Sequence, residues 1–357
     1  MVISSLPPPV RAASAWYGPE MAASDAWVRP FSPAEIGEID AAVDAAIATG
    51  RRLIDVRQAD FPLPTLAARL LEIRREVLEG RGFVLLRGLP VEHWPRERTA
   101  MAYWGLGAHL GAARSQNAQG HLLGHVRDMG LSTDDPRVRI YQTRERQNFH
   151  TDSCDIVGLL CLKTARRGGL SAIVSSMTIY NEMRRRVPDL LRLLFDPLAT
   201  DRRGEVPAGQ QPYYMMPVFH WHLGYLSAVY TRPYINSAQR NFPDAPRLSA
   251  RHVEVLDLFD TLANDPALNL TMSFQPGDIQ FLHNHTMLHD RTAYEDSPDP
   301  AEKRHLLRLW LAAPDARPLP EAYAAWYGSI EIGNRGGITV PGSVPQAPID
   351  PDASMAM

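Results

Sequence analysis

The segment 303–311, KRHLLRLWL, restricts what this chain can fold into more than any other stretch. Read as a strand, its alternation puts Arg304, Leu306, Arg308 and Trp310 on one face and His305, Leu307, Leu309 and Leu311 on the other. Both faces are largely apolar, so the strand must be covered on both sides within a layered structure. Two cations on one covered face must then reach solvent at a rim or meet a buried anion, because an unpaired buried charge costs several kcal/mol. A dicarboxylate would supply that anion, and Arg presents the planar fork that grips a carboxylate through two hydrogen bonds. The bland alternative is that one Arg snorkels to the surface. Lys163 and Lys303 are the only lysines, so Arg is the default cation here and a single Arg carries little weight.

The rest of the chain supplies the layers. Ser32-Pro33-Ala34-Glu35 combines an N-cap hydroxyl, a proline at the first helical position and a capping-box acid, and predicts a helix to about Ala48. A second helix is expected over about 63–79. Gly80-Arg81-Gly82 stops it, and Phe83-Val84-Leu85-Leu86-Arg87 reads as a buried strand. Short strands are then expected at 138–142, 156–162, 171–175, 271–274, 279–282 and 306–311, with Gly168-Gly169 and Pro276-Gly277-Asp278 as turns. Helices interrupt them over about 177–186 and 249–263. The sequence has no internal repeat. An irregular insertion near 204–248 carries Tyr213, Tyr214, Met215, Met216, Phe219, Trp221 and Tyr225, which either pack as its own core or cover a site. The expected organisation is a helical segment over 1–80, a compact domain over 81–314 and a Pro- and Gly-rich extension over 315–357, disordered from Pro345 onward.

Composition removes several classes of function. With 357 residues, 45% of them hydrophobic, the chain can bury a large core. The 37 basic and 40 acidic residues give a net charge of −3, which offers no global field for nucleic acid or an anionic membrane and leaves a small molecule as the expected partner. Self-association stays open. Two cysteines, Cys154 and Cys161, form neither a disulfide framework nor a Cys-rich zinc module, and point to a reducing compartment. The opening MVISSLPPPV lacks a basic and then apolar leader, and no run approaches the roughly 20 apolar residues of a membrane span. A soluble, cytoplasmic protein is expected.

Chemistry concentrates in two places. Asn148-Phe149-His150-Thr151-Asp152 sets an imidazole and a carboxylate two residues apart, so on an extended backbone both leave the same face and can meet one ion. Asn148 shares that face and is a candidate substrate contact. A second His would complete two imidazoles and one carboxylate on one face of an octahedron, with three positions open, as a non-haem Fe(II) oxygenase requires. His283, His285 and His289 crowd together in FLHNHTMLHDRTAYED, and the residues alone do not choose among them. A surface His beside a turn Asp is the commonplace reading of such a pair, and a zinc site drawing on Cys154 or Cys161 is the competing metal reading.

His150-Thr151-Asp152, Gly168-Gly169-Leu170-Ser171, Asn284 to Thr292 (NHTMLHDRT) and Arg304 to Leu311 occur in the order found in the taurine dioxygenase and clavaminate-synthase-like family of Fe(II)/2-oxoglutarate oxygenases, which the chain resembles over about 82–311. The resemblance implies an α+β fold with a mainly β core, a double-stranded β-helix or jelly roll flanked by helices. It selects His289, which sits in an Asn-x-x-x-x-His-x-Arg-like setting, as the third metal ligand with His150 and Asp152. It further implies that Arg304 and Ser171 hold the distal carboxylate of 2-oxoglutarate, Ser171 standing where taurine dioxygenase carries Thr. Arg308 matches a position that grips the sulfonate of taurine, and so belongs with either the co-substrate or the substrate. Ser115-Gln116-Asn117 and His121 depart from the taurine-binding pattern, which argues against taurine and leaves Gln116 as a candidate contact to another substrate.

The implied reaction couples decarboxylation of 2-oxoglutarate, with O2, to oxidation of a substrate C–H, with succinate and CO2 released. Hydroxylation is the default outcome; desaturation, ring closure and dealkylation start from the same abstraction. The expected substrate is a medium-sized, partly apolar small molecule, carrying a carboxylate if Arg308 serves it. The reading from a different class is a redox-inert metal-dependent hydrolase or isomerase, or a ligand-binding jelly roll. Arg304 and Ser171 have no role in either.

Overall fold

A computed structural model describes residues 5–132 and 138–350. Two β-sheets face each other. The larger runs in the order Val28–Pro30, Phe83–Arg87, Ile279–His283, Ile156–Lys163, His305–Ala312 and Ala112–Ala113, with Leu123–Val126 also paired to His305–Ala312. The smaller runs Asn269–Met272, Ser171–Ser175, Met287–Arg291 and Gln147–His150, all antiparallel. This is the double-stranded β-helix, and it is flanked by helices on both outer faces.

Alternation along His305–Ala312 explains the layering. Leu307, Leu309 and Leu311 turn outward into a core shared with the helices Pro33–Ala48, Leu66–Leu78 and Arg96–Ala108. Leu306 and Trp310 turn inward and pack with Phe83, Val157, Ile173 and Leu282 between the sheets. Every residue of the strand is buried, so truncating one of these leucines to Ala would cost about 2–5 kcal/mol. The smaller sheet is backed by Ser176–Arg186 and Ala250–Ala263 through Val174, Leu288, Phe149 and Phe259.

Local signals account for several boundaries. The Ser32–Glu35 capping box forms, with the Ser32 hydroxyl accepting from the Glu35 N–H and the Glu35 carboxylate accepting from the Ser32 N–H. Ser249 caps the helix that follows it in the same way. Gly277, at φ +86°, packs where an added Cβ would lie 2.0 Å from the Leu89 carbonyl oxygen, so the Pro276-Gly277-Asp278 turn tolerates no side chain there.

Four expectations change. Ile140–Gln142 is a 3-10 turn rather than a strand. The strand expected at 271–274 is Asn269–Met272, because it pairs with Ser171–Ser175 in the register Met272 to Ser171. The extension is packed as far as Asp350: Ala347 and Ile349 lie against the helical core, and the Pro348 carbonyl accepts from His125 Nε2 at 2.8 Å. The disorder expected at 351–357 lies outside the described residues. The insertion is no uniform aromatic cover. Phe219 and Met216 are buried in separate cores, whereas Trp221 and Tyr225 are exposed on the hairpin formed by Phe219–His222 and Tyr225–Ala228. No helix among the described residues is long and apolar enough to cross a membrane.

Candidate metal centre and its two cavities

His150 ends the strand Gln147–His150, Asp152 lies in the loop beyond it, and His289 is at the centre of Met287–Arg291. Strand pairing sets His289 directly opposite His150. The two rings stand 4.1 Å apart, centre to centre, and the His150, Asp152 and His289 ligand atoms all lie within 4.8 Å of one another. Among the described residues this is the one grouping of three or more His, Cys, Asp or Glu side chains so arranged.

Each donor is prepared for a cation. His150 Nδ1 donates to the Asn148 carbonyl (2.8 Å), which fixes the tautomer and leaves the Nε2 lone pair to accept from the Gln147 amide at 2.9 Å. Burial, followed by the neighbouring His289, pushes His150 down to about 3, so the ring is neutral at physiological pH. Burial opposes ionisation of Asp152, but Arg308 and His289 outweigh it and hold the carboxyl well below the usual range. Asp152 Oδ2 accepts the Trp310 indole N–H at 2.8 Å, and the Asp152 backbone N–H donates to Asn284 Oδ1 at 2.8 Å. Two imidazoles and one ionised carboxylate fit Fe(II).

Two cavities meet at these ligands and share Gln147, His150 and Arg308. The smaller is lined by His289, Ser171, Arg291, Arg304, Leu306 and Phe274 among others. Here the two arginines of the 303–311 strand do share a face, as the alternation predicts. The Arg304 guanidinium is almost wholly buried, lies 5.1 Å over the Tyr294 ring and has an Nη1 with no hydrogen-bond partner. Burial lowers its pKa. A Cβ on Gly169 would come within 2.9 Å of Arg304 Nε, so this loop glycine, at φ +66°, leaves the guanidinium its room. Arg291 adds a third cation beside Arg304 and Arg308, its Nη atoms tied to the Thr143 and Glu145 carbonyls, and burial, followed by Arg304, lowers it to about 10. The acid on this wall, Asp290, is already paired with Arg146. A buried guanidinium with an unused donor beside a metal-ligand set fits a carboxylate that also chelates the ion.

The larger cavity opens on Asp152 and Trp310. Its walls are charged as well as aromatic: Arg139, Asp201, Arg202, Glu205, Tyr141, Tyr214 and Tyr234 line it. Arg139 is ion-paired with Glu205 and donates to the Tyr234 hydroxyl at 2.9 Å. Of the aromatic and Met residues singled out in the insertion, Tyr214 lines this cavity, a more polar chamber than the sequence suggests. Gln116 lines it too, but its amide is engaged: Nε2 donates to the Leu122 and Arg308 carbonyls, and Oε1 accepts from Arg308 Nε at 2.7 Å. It orients Arg308.

Asn148 lies elsewhere. Its side chain is exposed and lines a separate surface depression with Arg232, Asn236 and Asn264. The cause is a bulge: His289 pairs with His150 but Arg291 pairs with Gln147, so the register slips by one and Gln147 turns into the cavity instead. His283 and His285 also separate from His289. His285 Nε2 donates to Asp155 Oδ1 (2.9 Å), and His283 Nδ1 is 3.1 Å from the Thr286 hydroxyl. Cys154 and Cys161 are free and buried in the inter-sheet core, outside the ligand grouping. Sequence reasoning gave no role to Arg291, Gln147, Trp310 or the Arg139–Glu205 pair. Two of these carried a signal: Trp310 by its place on the Arg face of the strand, and Arg291 as the arginine of the Asn-x-x-x-x-His-x-Arg-like setting around His289.

A family model described as taurine catabolism dioxygenase TauD, TfdA family, matches residues 47–310. FR-33289 synthase of Streptomyces rubellomurinus (strain ATCC 31215) is 31% identical over 328 residues, which cover 89% of this chain and 95% of that protein. The taurine hydroxylase-like protein SAT17 of Stachybotrys chartarum (strain CBS 109288 / IBT 7711) is 29% identical over 305 residues, 83% of this chain and 77% of that one. Among solved structures, an asparagine oxygenase in complex with Fe(II), hydroxyasparagine and succinate superposes with a TM-score of 0.61 at 16% identity, covering 80% of this chain and 93% of that one. The non-haem iron oxygenase OrfP, in complex with Fe and alpha-ketoglutaric acid, does so at 0.60 and 14% identity, with the same coverage.

Proposed function

The chain belongs to the taurine catabolism dioxygenase TauD, TfdA family, and from that premise we propose that His150, Asp152 and His289 hold Fe(II) while Arg304, Ser171 and Arg308 receive 2-oxoglutarate. The enzyme is an Fe(II)- and 2-oxoglutarate-dependent dioxygenase that oxidises, by hydroxylation, an unactivated C–H of a small organic molecule, releasing succinate and CO2. The observation that carries the residue assignments is the buried Arg304 with an unused donor, in the cavity that also presents His150 and His289.

When bound, the iron supplies the activation of O2 coupled to decarboxylation of the oxo-acid. The chain's own residues bind, orient and exclude water. His150 and His289 would hold the ion through their ring nitrogens, and the Gln147 amide, which donates to His150 Nε2 at 2.9 Å, would give up that lone pair to it. Arg304 and the Ser171 hydroxyl fix the distal carboxylate, so the oxo-acid enters with its keto end toward the ligands. Leu306, Phe274 and Val126 keep that chamber apolar around the salt bridge. Arg308, oriented by Gln116, stands between the chambers and balances charge on either side. The substrate lies in the larger cavity, and its charged wall favours a polar or ionic molecule over the partly apolar one expected with the aromatic insertion as cover. The reading also includes a soluble, cytoplasmic protein. A redox-inert role leaves the buried Arg304 Nη1 donor unused.

The test is anaerobic titration with Fe(II) and then 2-oxoglutarate. The wild-type protein should develop a weak visible charge-transfer band. Arg304→Ala should lose about 2–5 kcal/mol of 2-oxoglutarate affinity, read from that band, with Fe(II) binding little changed. Lys should restore it poorly, since a point charge does not reproduce the fork. Arg308→Ala should chiefly weaken substrate binding and raise uncoupled succinate formation, with a smaller loss of 2-oxoglutarate affinity than Arg304→Ala. Loss of 2-oxoglutarate in the Arg308 variant with retention in the Arg304 variant would exchange the two assignments.

A further inference from the structure

Trp310 makes an unusual use of its one polar atom. A buried indole N–H ordinarily finds a hydrogen-bond partner, and here the partner is Asp152 Oδ2, at 2.8 Å. The same oxygen lies 3.6 Å from Arg308 Nη1, and the Arg308 guanidinium in turn sits 4.9 Å over the Trp310 ring. The other oxygen, Oδ1, faces His150 Nε2 at 3.7 Å, while Oδ2 also lies 3.5 Å from His289 Nε2, so the Trp310 N–H occupies the oxygen on the His289 side and leaves Oδ1 the freer donor. Trp310 is itself immobilised: it lies on the strand His305–Ala312, which is paired on both edges, sits in register with Val157 and is buried in the core between the sheets. Its ring forms part of the wall of the larger cavity while its N–H points at the carboxylate.

We infer that Trp310 is a positioning residue that holds Asp152 by one oxygen, so that the carboxylate meets the metal through a single atom. This rests on the ligand set proposed above. The consequence is a count of positions. A carboxylate can bind an ion through one oxygen or two. Two imidazoles and a one-oxygen carboxylate leave three of six octahedral positions, enough for a chelating oxo-acid and O2; a two-oxygen carboxylate leaves two. Fixing the carboxylate from a rigid strand therefore protects co-substrate binding more than metal binding. The alternative role, simple filling of the inter-sheet core, needs the ring and not the N–H.

Two variants separate these roles. Trp310→Phe keeps an aromatic ring and removes the N–H; Trp310→Gln removes the ring and returns an N–H donor at similar reach. Fe(II) affinity is measured by anaerobic calorimetry, 2-oxoglutarate affinity from the visible band, and the fold from the unfolding midpoint of the metal-free protein. In Trp310→Phe, 2-oxoglutarate affinity should fall by about tenfold while Fe(II) affinity changes by less than about threefold. Trp310→Gln should recover much of the lost 2-oxoglutarate affinity despite a lower midpoint. Unchanged 2-oxoglutarate affinity in the Phe variant, or equal losses in both variants, overturns the inference. A third measurement needs no variant: in the wild-type protein with Zn(II) as a diamagnetic probe, the Trp310 indole N–H should stay protected from hydrogen exchange, and loss of protection on metal binding also overturns it. If the wild-type protein itself gives no band, the parent reading falls, and this one with it.

Discussion

Two assemblies of nearly the same chemistry lie three residues apart along the chain. Asp155 accepts from His285 Nε2 (2.9 Å), from Arg335 Nε and Nη2 (2.9 and 2.8 Å) and from the Ala313 N–H (3.1 Å), and the His285, Asp155 and Arg335 side chains are wholly buried. Asp152 has a His on each side and an Arg nearby as well, but at 3.7 Å from His150, 3.5 Å from His289 and 3.6 Å from Arg308, and cavities reach it. One cluster is closed by short hydrogen bonds and the other is held just short of closure. A carboxylate with its lone pairs filled by protein donors is structural; one held ionised with room at its ligand atoms can bind something else.

The largest expected effect tests the open cluster. His150→Ala, Asp152→Ala and His289→Ala should each abolish Fe(II)-dependent turnover and leave a soluble, folded protein, because strands already held by the apolar core carry the site. His285→Ala should keep its iron. Metal content, succinate formation and the unfolding midpoint measure this together. Full activity in the His289 variant with a metal-free, normally stable His285 variant would reverse the comparison.

The closed cluster should respond in stability instead. Asp155→Ala strands the Arg335 guanidinium, fully buried and paired to that carboxylate, and should cost about 3–5 kcal/mol in urea unfolding. Activity per folded molecule should hold. Burial opposes ionisation of Asp155, but the His285 hydrogen bond, the His285 charge and Arg335 outweigh it and lower its pKa. Its stabilising contribution is therefore present above the ordinary carboxylate range and lost as the pH falls through the lowered value. A stable Asp155→Ala protein with impaired metal binding would place this cluster in the site.

How far the sequence discloses this division depends on the range of each interaction. The Ser32 capping box and the alternation over 305–312 are local, and both are legible. The helix Arg96–Ala108 is buried continuously from Thr99 to Gly107, so it has no polar stripe to betray its period. Asn148 is misread because a single bulge, invisible in the residues, exchanges it for Gln147. The choice of His289 over His285 came from resemblance; its physical reason is a strand register that sets His289 across from His150, while His285, in the turn before that strand, meets Asp155. The larger cavity was least legible, since Arg139, Glu205, Tyr234 and Trp310 come from distant segments.

The smallest expected effect concerns Cys154, which lies between the two carboxylates and would couple the clusters if its sulfur bound metal or formed a disulfide. Neither fits its surroundings. The side chain is fully buried, burial raises the thiol well above its ordinary range, and its backbone carbonyl accepts from Asn284 Nδ2 and the Tyr327 hydroxyl, each at 3.0 Å. Cys161 lies five residues into the strand Ile156–Lys163 from Ile156, a rise of about 16 Å, whereas disulfide Cα atoms sit within about 7 Å. Cys154→Ser should therefore cost on the order of 1–2 kcal/mol of stability for a hydroxyl in an apolar site, and leave Fe(II) and 2-oxoglutarate affinities where they were. Intact mass under non-reducing conditions should show two free thiols in the wild-type protein. A stoichiometric Cys154–Cys161 bond would overturn the free-thiol reading, and metal loss in the Ser variant would join the two clusters into one site and revive zinc as the metal.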